Sequence, residues 1–335
     1  MLEWVSDCHE NEGNAMNRKV LLAGFVVVAL GLIVAGVGLT CLQQAAPGTR
    51  IIDIPSIPNI IGSSGSYVLT ATFPVVNDSY PVYQTVTPGA ASEEVRRLGN
   101  LFGLAGEMKS VPSGDEVRLV DNSKDPAAEL EYYMNSGAFL YRIPEKMYPD
   151  FPDEQADLPS DEETRKIVTD YLTERGLLPD DVHFEKVNVQ DQYEHTGLIS
   201  TTVYNLTKHV SFIKEIQGLR VYNAGVGATI NERGEVVSAG NSLRELSPEP
   251  VRDVKIVTPE EAYQRLIAGD VVMRVLPDGY DEVVVSDISL GYWMEIKTEP
   301  QKYVLPVYVF SCATPSGVHR QYVSAVEESE MQYLI

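Results

Sequence analysis

The sequence is short of cysteine and of cations. Its 335 residues contain three cysteines, Cys8, Cys41 and Cys312. An exported disulfide scaffold carries an even, spaced set, so a framework of bridges is excluded and the fold is expected to rest on an apolar core. Lysine and arginine total 26 against 48 aspartates and glutamates, a net charge of −22. A nucleic-acid partner needs a basic stripe, and none is present. The same balance opposes lying flat on an anionic lipid surface. Hydrophobic residues still make up 44% of the chain, enough to bury cores rather than leave the chain disordered.

Catalytic signatures are also missing. The five histidines, His9, His183, His195, His209 and His319, include no His-Glu-x-x-His pair, so a zinc protease would lack its ligands. There is no phosphate-binding Gly-x-x-x-x-Gly-Lys motif. The glycines of Gly225-Val-Gly227 precede no helix start that would receive a phosphate. Ser63, Ser64 and Ser66 lack the strand–turn–helix context of a nucleophile elbow. His195 lies near Asp191 and Glu194, but this set reads as an exposed loop of mixed charge before it reads as a metal site. The pairs Glu93/Glu94, Glu162/Glu163 and Glu260/Glu261 sit in first turns of helices, where the dipole favours carboxylates, rather than as a glycosidase pair. No catalytic residue, metal ligand or cofactor is therefore expected, and the protein is read as a non-enzyme.

One long hydrophobic run is present. Val20 to Cys41 carries no charge and would span roughly 33 Å as a helix, enough for a bilayer core. Arg18 and Lys19 precede it, and the next cation is Arg50. The positive-inside rule then predicts a single-pass cell-membrane protein, N-terminus inside and C-terminal part extracytoplasmic. Met16 opens a normal basic n-region, so residues 1–15 read as an overextended start. Retention as an anchor ranks above cleavage as a signal, and lipidation at Cys41 ranks third, because Gly38 stands where a lipobox needs leucine. Gly24, Gly31, Ala35 and Gly38 share a helical face suited to helix packing, although glycine is common in membrane helices in any case.

Punctuation along the chain predicts the remaining organisation. Residues 1–19 form a cytoplasmic tail, 20–42 a transmembrane helix, and 43–66 a linker rich in proline, glycine and serine. An N-terminal domain follows over 67–150, a hinge over 151–159 and a C-terminal domain over 160–335. Three helix-start signals stand out: Ser92-Glu-Glu, the capping box Ser160-Asp-Glu-Glu163, and Thr258-Pro-Glu-Glu261 with a glycine stop at Gly269. Each precedes strand-like sequence. The predicted fold class is α+β: antiparallel sheets with capped helices packed on them, behind the transmembrane helix. Asn77-Asp-Ser and Asn205-Leu-Thr are candidate glycosylation acceptors. Cys312 reads as a small apolar filler. Tyr292, Tyr303, Tyr308, Tyr322 and Trp293 read as core-and-rim residues before they read as a partner face.

The capped acidic helix followed by GLRVYNAGVGATINERGEVVSAG resembles PepSY and FTP-type modules, which occur as propeptides of secreted metalloproteases and as stand-alone exported or membrane-anchored proteins. The shared features are Gly218-x-x-Val221, an alternating strand, the Asn231-x-x-Gly234 turn, and a return strand ending in Gly240. The later stretch, TPEEAYQRLIAG with LGYWMEI and YVLPVYVFS, resembles membrane-anchored extracytoplasmic regulators of the YycH/YycI type. Together the likeness covers roughly 160–330. It implies an accessory to a membrane sensor or exported enzyme, contacting another membrane or exported protein, with sheet edges open to strand addition. The alternative is an inhibitor or chaperone-like partner of a secreted protease. It would act in trans, since no protease follows the module in this sequence. An enzyme with an unrecognised site is the third reading.

Overall fold

The computed structural model describes residues 66–112, 114–149, 155–196, 200–273 and 280–334, with the side chains of 194–196, 200 and 201 set aside. The elements run in the order β1 (Ser66–Leu69), β2 (Ser79–Gln84), α1 (Ala91–Leu101), β3 (Glu107–Ser110), β4 (Glu116–Asp121), β5 (Ala128–Tyr133), β6 (Phe139–Arg142), α2 (Pro144–Met147), α3 (Asp161–Glu174), β7 (Val182–Thr196), β8 (Ser200–Ile216), β9 (Leu219–Tyr222), β10 (Val226–Asn231), β11 (Val236–Asn241), β12 (Arg252–Lys255), α4 (Pro259–Ala268), β13 (Glu282–Trp293), β14 (Tyr303–Thr314), β15 (Gly317–Ser324) and α5 (Glu328–Met331). Strand accounts for 46% of these residues and helix for 17%. The predicted α+β class is corrected accordingly: the chain is mainly sheet, and its helices are short pieces laid on it. The transmembrane helix expected over 20–42, and Cys41 with it, lies outside the described residues. Among those residues no helix is long and apolar enough to cross a membrane, so that part of the expectation is withdrawn.

Two runs of antiparallel ladder make up the sheet. The first is ordered β7-β8-β10-β11-β6-β5-β4-β3. It carries α1 and α3 on one face, over a core that includes Val95, Leu98, Leu130, Val168, Leu172, Val210 and Ile230. The second runs β12-β2-β14-β13, with β15 beside β14 and β1 parallel to β13. Its core, with Tyr263, Leu266, Val285, Tyr308, Phe310 and Val323, lies under α4. Strand β9 joins the two, pairing antiparallel with β8 and parallel with β13. The turn before it holds Gln217 at φ 51° and Gly218 at φ 77°, the left-handed pair that a two-residue hairpin demands.

The start signals form where local chemistry specifies them. Ser160 and Glu163 exchange a capping box, as do Thr258 and Glu261, and Gly269 closes α4 at φ 80°. Ser92 does not cap α1, which starts one residue earlier with no side-chain cap at Ala90. The long strands are where pattern reading falls short. Bulges interrupt their alternation between Phe184 and Lys186, between Gln190 and Asp191, and between Val285 and Asp287, and each resets which side chains face the core. Cys312 is fully buried in the α4 core, and burial pushes its thiol up to about 12, so it stays protonated and inert.

Arg244 ties the two halves together. It is 3% exposed, and its terminal nitrogens donate to Asn135 O (2.8 Å) on the β5–β6 turn and to Ile296 O (3.0 Å) and Glu299 O on the β13–β14 connection. Beside it, Asn135 Nδ2 donates to Thr298 O and Ser136 Oγ to Lys297 O. Replacing Arg244 with methionine keeps the bulk and removes three part-buried hydrogen bonds to backbone carbonyls. Chemical denaturation of Arg244→Met is expected to show a loss of about 3 kcal/mol, with Arg244→Lys losing less because one ammonium still reaches some of the acceptors. A loss below about 1 kcal/mol in Arg244→Met would remove this side chain from the account of how the halves are joined.

Candidate functional site

The segment singled out in the sequence forms β9, which joins the two ladders, and the hairpin β10–β11 in the middle of the first. Its turn is built by Asn231, whose Oδ1 accepts from the N–H groups of Arg233 and Glu235, both at 3.0 Å. Gly234 at φ 71° completes it. Lys146 anchors the turn from outside through Glu235 at 3.0 Å. Glycine at 227 is a packing requirement: a Cβ there would lie 2.6 Å from Val210 O and 2.7 Å from His209 Nε2. The imidazole of His209 therefore lies against the bare backbone of β10, and its Nδ1 pairs with Thr229 Oγ1 at 3.0 Å.

His209 belongs to the face of this ladder opposite α1 and α3. By register, that face carries Asn188, His209, Thr229, Ser238, Arg142, Glu129, Glu131 and Arg118. Toward β4 it condenses around Glu131, which is 4% exposed. Its carboxylate takes Arg142 at 2.7 Å, Arg118 at 3.1 Å and the Tyr133 hydroxyl at 2.6 Å, with Lys297 at 4.0 Å. Burial and the adjacent carboxylate push the Tyr133 phenol well above its ordinary range. Desolvation lowers the Lys297 ammonium, although Glu131 opposes the shift. A carboxylate whose oxygens are already committed to two guanidiniums and a phenol has no capacity left for general-base work. The cluster is a structural lock that holds the β13–β14 connection against β5.

Beyond the ladder, β7 and β8 continue as a two-stranded ribbon. Their register runs to Thr196 and Ser200, while β10 pairs β8 only over Thr207–Phe212. The outer side of β8 is closed by a side chain: Gln155 Nε2 donates to Val203 O at 2.7 Å, and its Oε1 accepts from Asn205 N at 3.1 Å, so the amide acts as a one-residue strand. Strand β7 has no strand partner on its outer edge among the described residues. Facing partners Tyr193 and Val203 are 55% and 41% exposed, and Val189 is 44% exposed. Apolar side chains beside an open edge are the features that strand-adding partners use.

Residues 199–243 match the family model of the Fungalysin/Thermolysin Propeptide Motif. The match begins at the ribbon and ends just after β11, and it contains the Asn231 turn and His209. No curated protein matches the chain. Among solved structures, an uncharacterized protein from Eubacterium rectale is similar, with 10% identity, a TM-score of 0.43, and coverage of 77% of this chain and 86% of that one. The finer resemblance to YycH/YycI-type regulators gains no support from the comparison.

The other residues marked in the sequence fall as follows. Asn77 is exposed before β2, and Asn205 is exposed on the ribbon. The hydroxyl of Thr207, the third residue of the second sequon, is buried and donates to Gln190 at 2.9 Å. The backbone of His195 pairs with that of Thr201 near the ribbon tip. Among the described residues no group of three His, Cys, Asp or Glu side chains is placed to hold a metal ion. Tyr292 and Tyr308 are fully buried and Trp293 nearly so. The two phenols donate to Pro81 O and Val257 O, both at 2.9 Å. These aromatics belong to cores and offer no partner face.

Two outcomes follow from this geometry. Gly227→Ala must displace either a carbonyl or the imidazole, and is expected to cost about 2 kcal/mol, measured by denaturant midpoint. Desolvation and the charge of Lys186 lower the pKa of His209 below its usual 6.5. On acidification the unfolded chain therefore takes up this proton first. Stability falls as pH drops below about 6.5, by at most about 1.4 kcal/mol per pH unit for one proton, until His209 protonates in the fold. The melting temperature should drop more between pH 7 and pH 5.5 in the wild type than in His209→Gln; equal drops would assign the effect to other groups.

Proposed function

We infer that this protein is a non-enzymatic partner of an exported protease, acting in trans as an inhibitor or folding assistant. The propeptide-motif match over 199–243 carries the reading. Propeptide domains of this kind are inhibitory and non-catalytic, and they bind a protease. The match ranks this function above the signalling accessory that the sequence first suggested. Two further observations support it. The matched segment is held from both sides, by α3 beneath and by Lys146 at the turn, so little ordering is needed on binding. The ribbon alongside presents an open strand edge with Tyr193 and Val203 beside it. The uncharged run Val20–Cys41 behind Arg18 and Lys19 supports export of the remainder, which would bring it to the protease's compartment.

The test is inhibition of a thermolysin- or fungalysin-type metalloprotease by the full chain, followed with a peptide substrate and paired with the refolding yield of the denatured protease. Inhibition or improved yield is expected at micromolar protein. Tyr193→Asp with Val203→Asp should weaken the effect at least tenfold while leaving the melting temperature within a few degrees. A protein that neither inhibits nor assists refolding, and is simply degraded, would sink the reading.

A further inference from the structure

Strand β8 outlasts its neighbour on one side. Strand β10 pairs it over Thr207–Phe212 only, while β8 continues back to Ser200. The stretch Thr201–Asn205 therefore has an edge with no strand on it among the described residues, about 17 Å long at roughly 3.4 Å per residue. Gln155 stands on that edge. Its Nε2 donates to Val203 O at 2.7 Å, and its Oε1 accepts from Asn205 N at 3.1 Å. A side-chain amide carries the same donor and acceptor as a peptide group, so it takes the place that one residue of a neighbouring strand would take. In an antiparallel strand the N–H and C=O of one residue point to the same edge. Val203 N–H thus faces the same way as Val203 O, and Gln155 does not reach it.

The amide is a weak occupant. Gln155 and both of its bonds are exposed, so water competes for each and the net contribution is small. The chain behind it is pinned independently: Lys208 Nζ holds Pro159 O and the Asp161 carboxylate, both at 2.7 Å. The amide is therefore free to leave without moving α3. The edge it covers is uncharged, Ser200 to Thr207 reading STTVYNLT in a chain of net charge −22. Two copies of such a chain repel each other, whereas uncharged, β-branched sequence favours strand pairing. The edge thus suits a foreign strand of like, uncharged kind better than it suits a second copy.

We propose that Thr201–Asn205 accepts an extended, uncharged segment of a partner polypeptide as an added strand, and that Gln155 holds the place in the free protein and is displaced on binding. This edge lies on the opposite side of the ribbon from that of β7 and does not rest on protease inhibition. The test is titration of the full chain with a Thr-Val-Thr-Val-Thr-Val peptide carrying an uncharged fluorescent label, read by anisotropy, with hydrogen–deuterium exchange locating the bound strand. Gln155→Ala removes the competitor and leaves the edge untouched, so it should bind at least about threefold more tightly than the wild type. Loss of an ordinary contact residue would act in the opposite direction. Peptide-dependent protection should appear over 201–205. A fully N-methylated peptide, which has no N–H to donate, should bind at least about tenfold more weakly. Val203→Pro in the Gln155→Ala background removes an outward N–H and should cancel the gain; should that variant fail to fold, the exchange map decides the matter. No binding, a Gln155→Ala variant that binds no more tightly, or protection confined to β7 would overturn the proposal. So would self-association of Gln155→Ala without peptide, since that would make a second copy the occupant.

Discussion

The contact between the β5–β6 turn and the β13–β14 connection is centred on one buried cation. Arg244 has no carboxylate in contact with its guanidinium; carbonyl oxygens from two distant connections serve as the counter-charge. A desolvated cation without partners is among the costliest groups a core can hold; here both terminal nitrogens are filled, while Nε is buried without a partner. Desolvation does lower its pKa, and the nearby Glu295 and Glu299 work against that. The consequence is topological. Through its terminal nitrogens Arg244 holds the β5–β6 turn against the β13–β14 connection, and the Glu131 cluster closes over the same seam through Lys297.

The second constraint is the length of β8. Its 17 residues serve three neighbours in turn: β7 along nearly the whole strand, β10 over the middle, and β9 at the end. A strand that outlasts its neighbours must leave something over. Here the excess is the ribbon, with Gln155 capping one side and the edge of β7 left unpaired. The structural economy of the sheet and the open edge are thus one feature: β8, the first strand of the matched segment, holds β7 along its length, and the free edge is that of β7.

Much of this was legible in the sequence wherever a single residue type imposes a local geometry. The capping boxes at Ser160 and Thr258, the left-handed Gly269 and the Asn231–Gly234 turn each follow from short-range hydrogen bonding, and each was readable from three or four letters. The propeptide likeness was readable for the same reason, since its marks are turns and glycines. The proportion of strand was not. Caps announce where helices begin and say nothing about how little of the chain they occupy, and the bulges at Glu185 and Leu206 break the alternation that would have marked β7 and β8 as long strands. Arg244 gave no sequence signal at all, because its role comes from partners far away in the chain, 109 residues for the Arg244–Asn135 contact, and no local pattern encodes such a distance.

The distribution of satisfied and unsatisfied polar groups separates a scaffold from a binding surface on this molecule. Around Glu131 the polar face of the first ladder is answered from within: Glu131 by Arg118, Arg142 and Tyr133, and Glu129 by Arg142. A site of that kind resists change, because removing any one member strands the rest. Along the outer edge of β7 no strand among the described residues answers the backbone, and Tyr193, Val203 and Val189 stand exposed beside it. The two parts therefore differ in what an arriving chain could gain: nothing at the locked face, and a ladder of backbone hydrogen bonds at the edge.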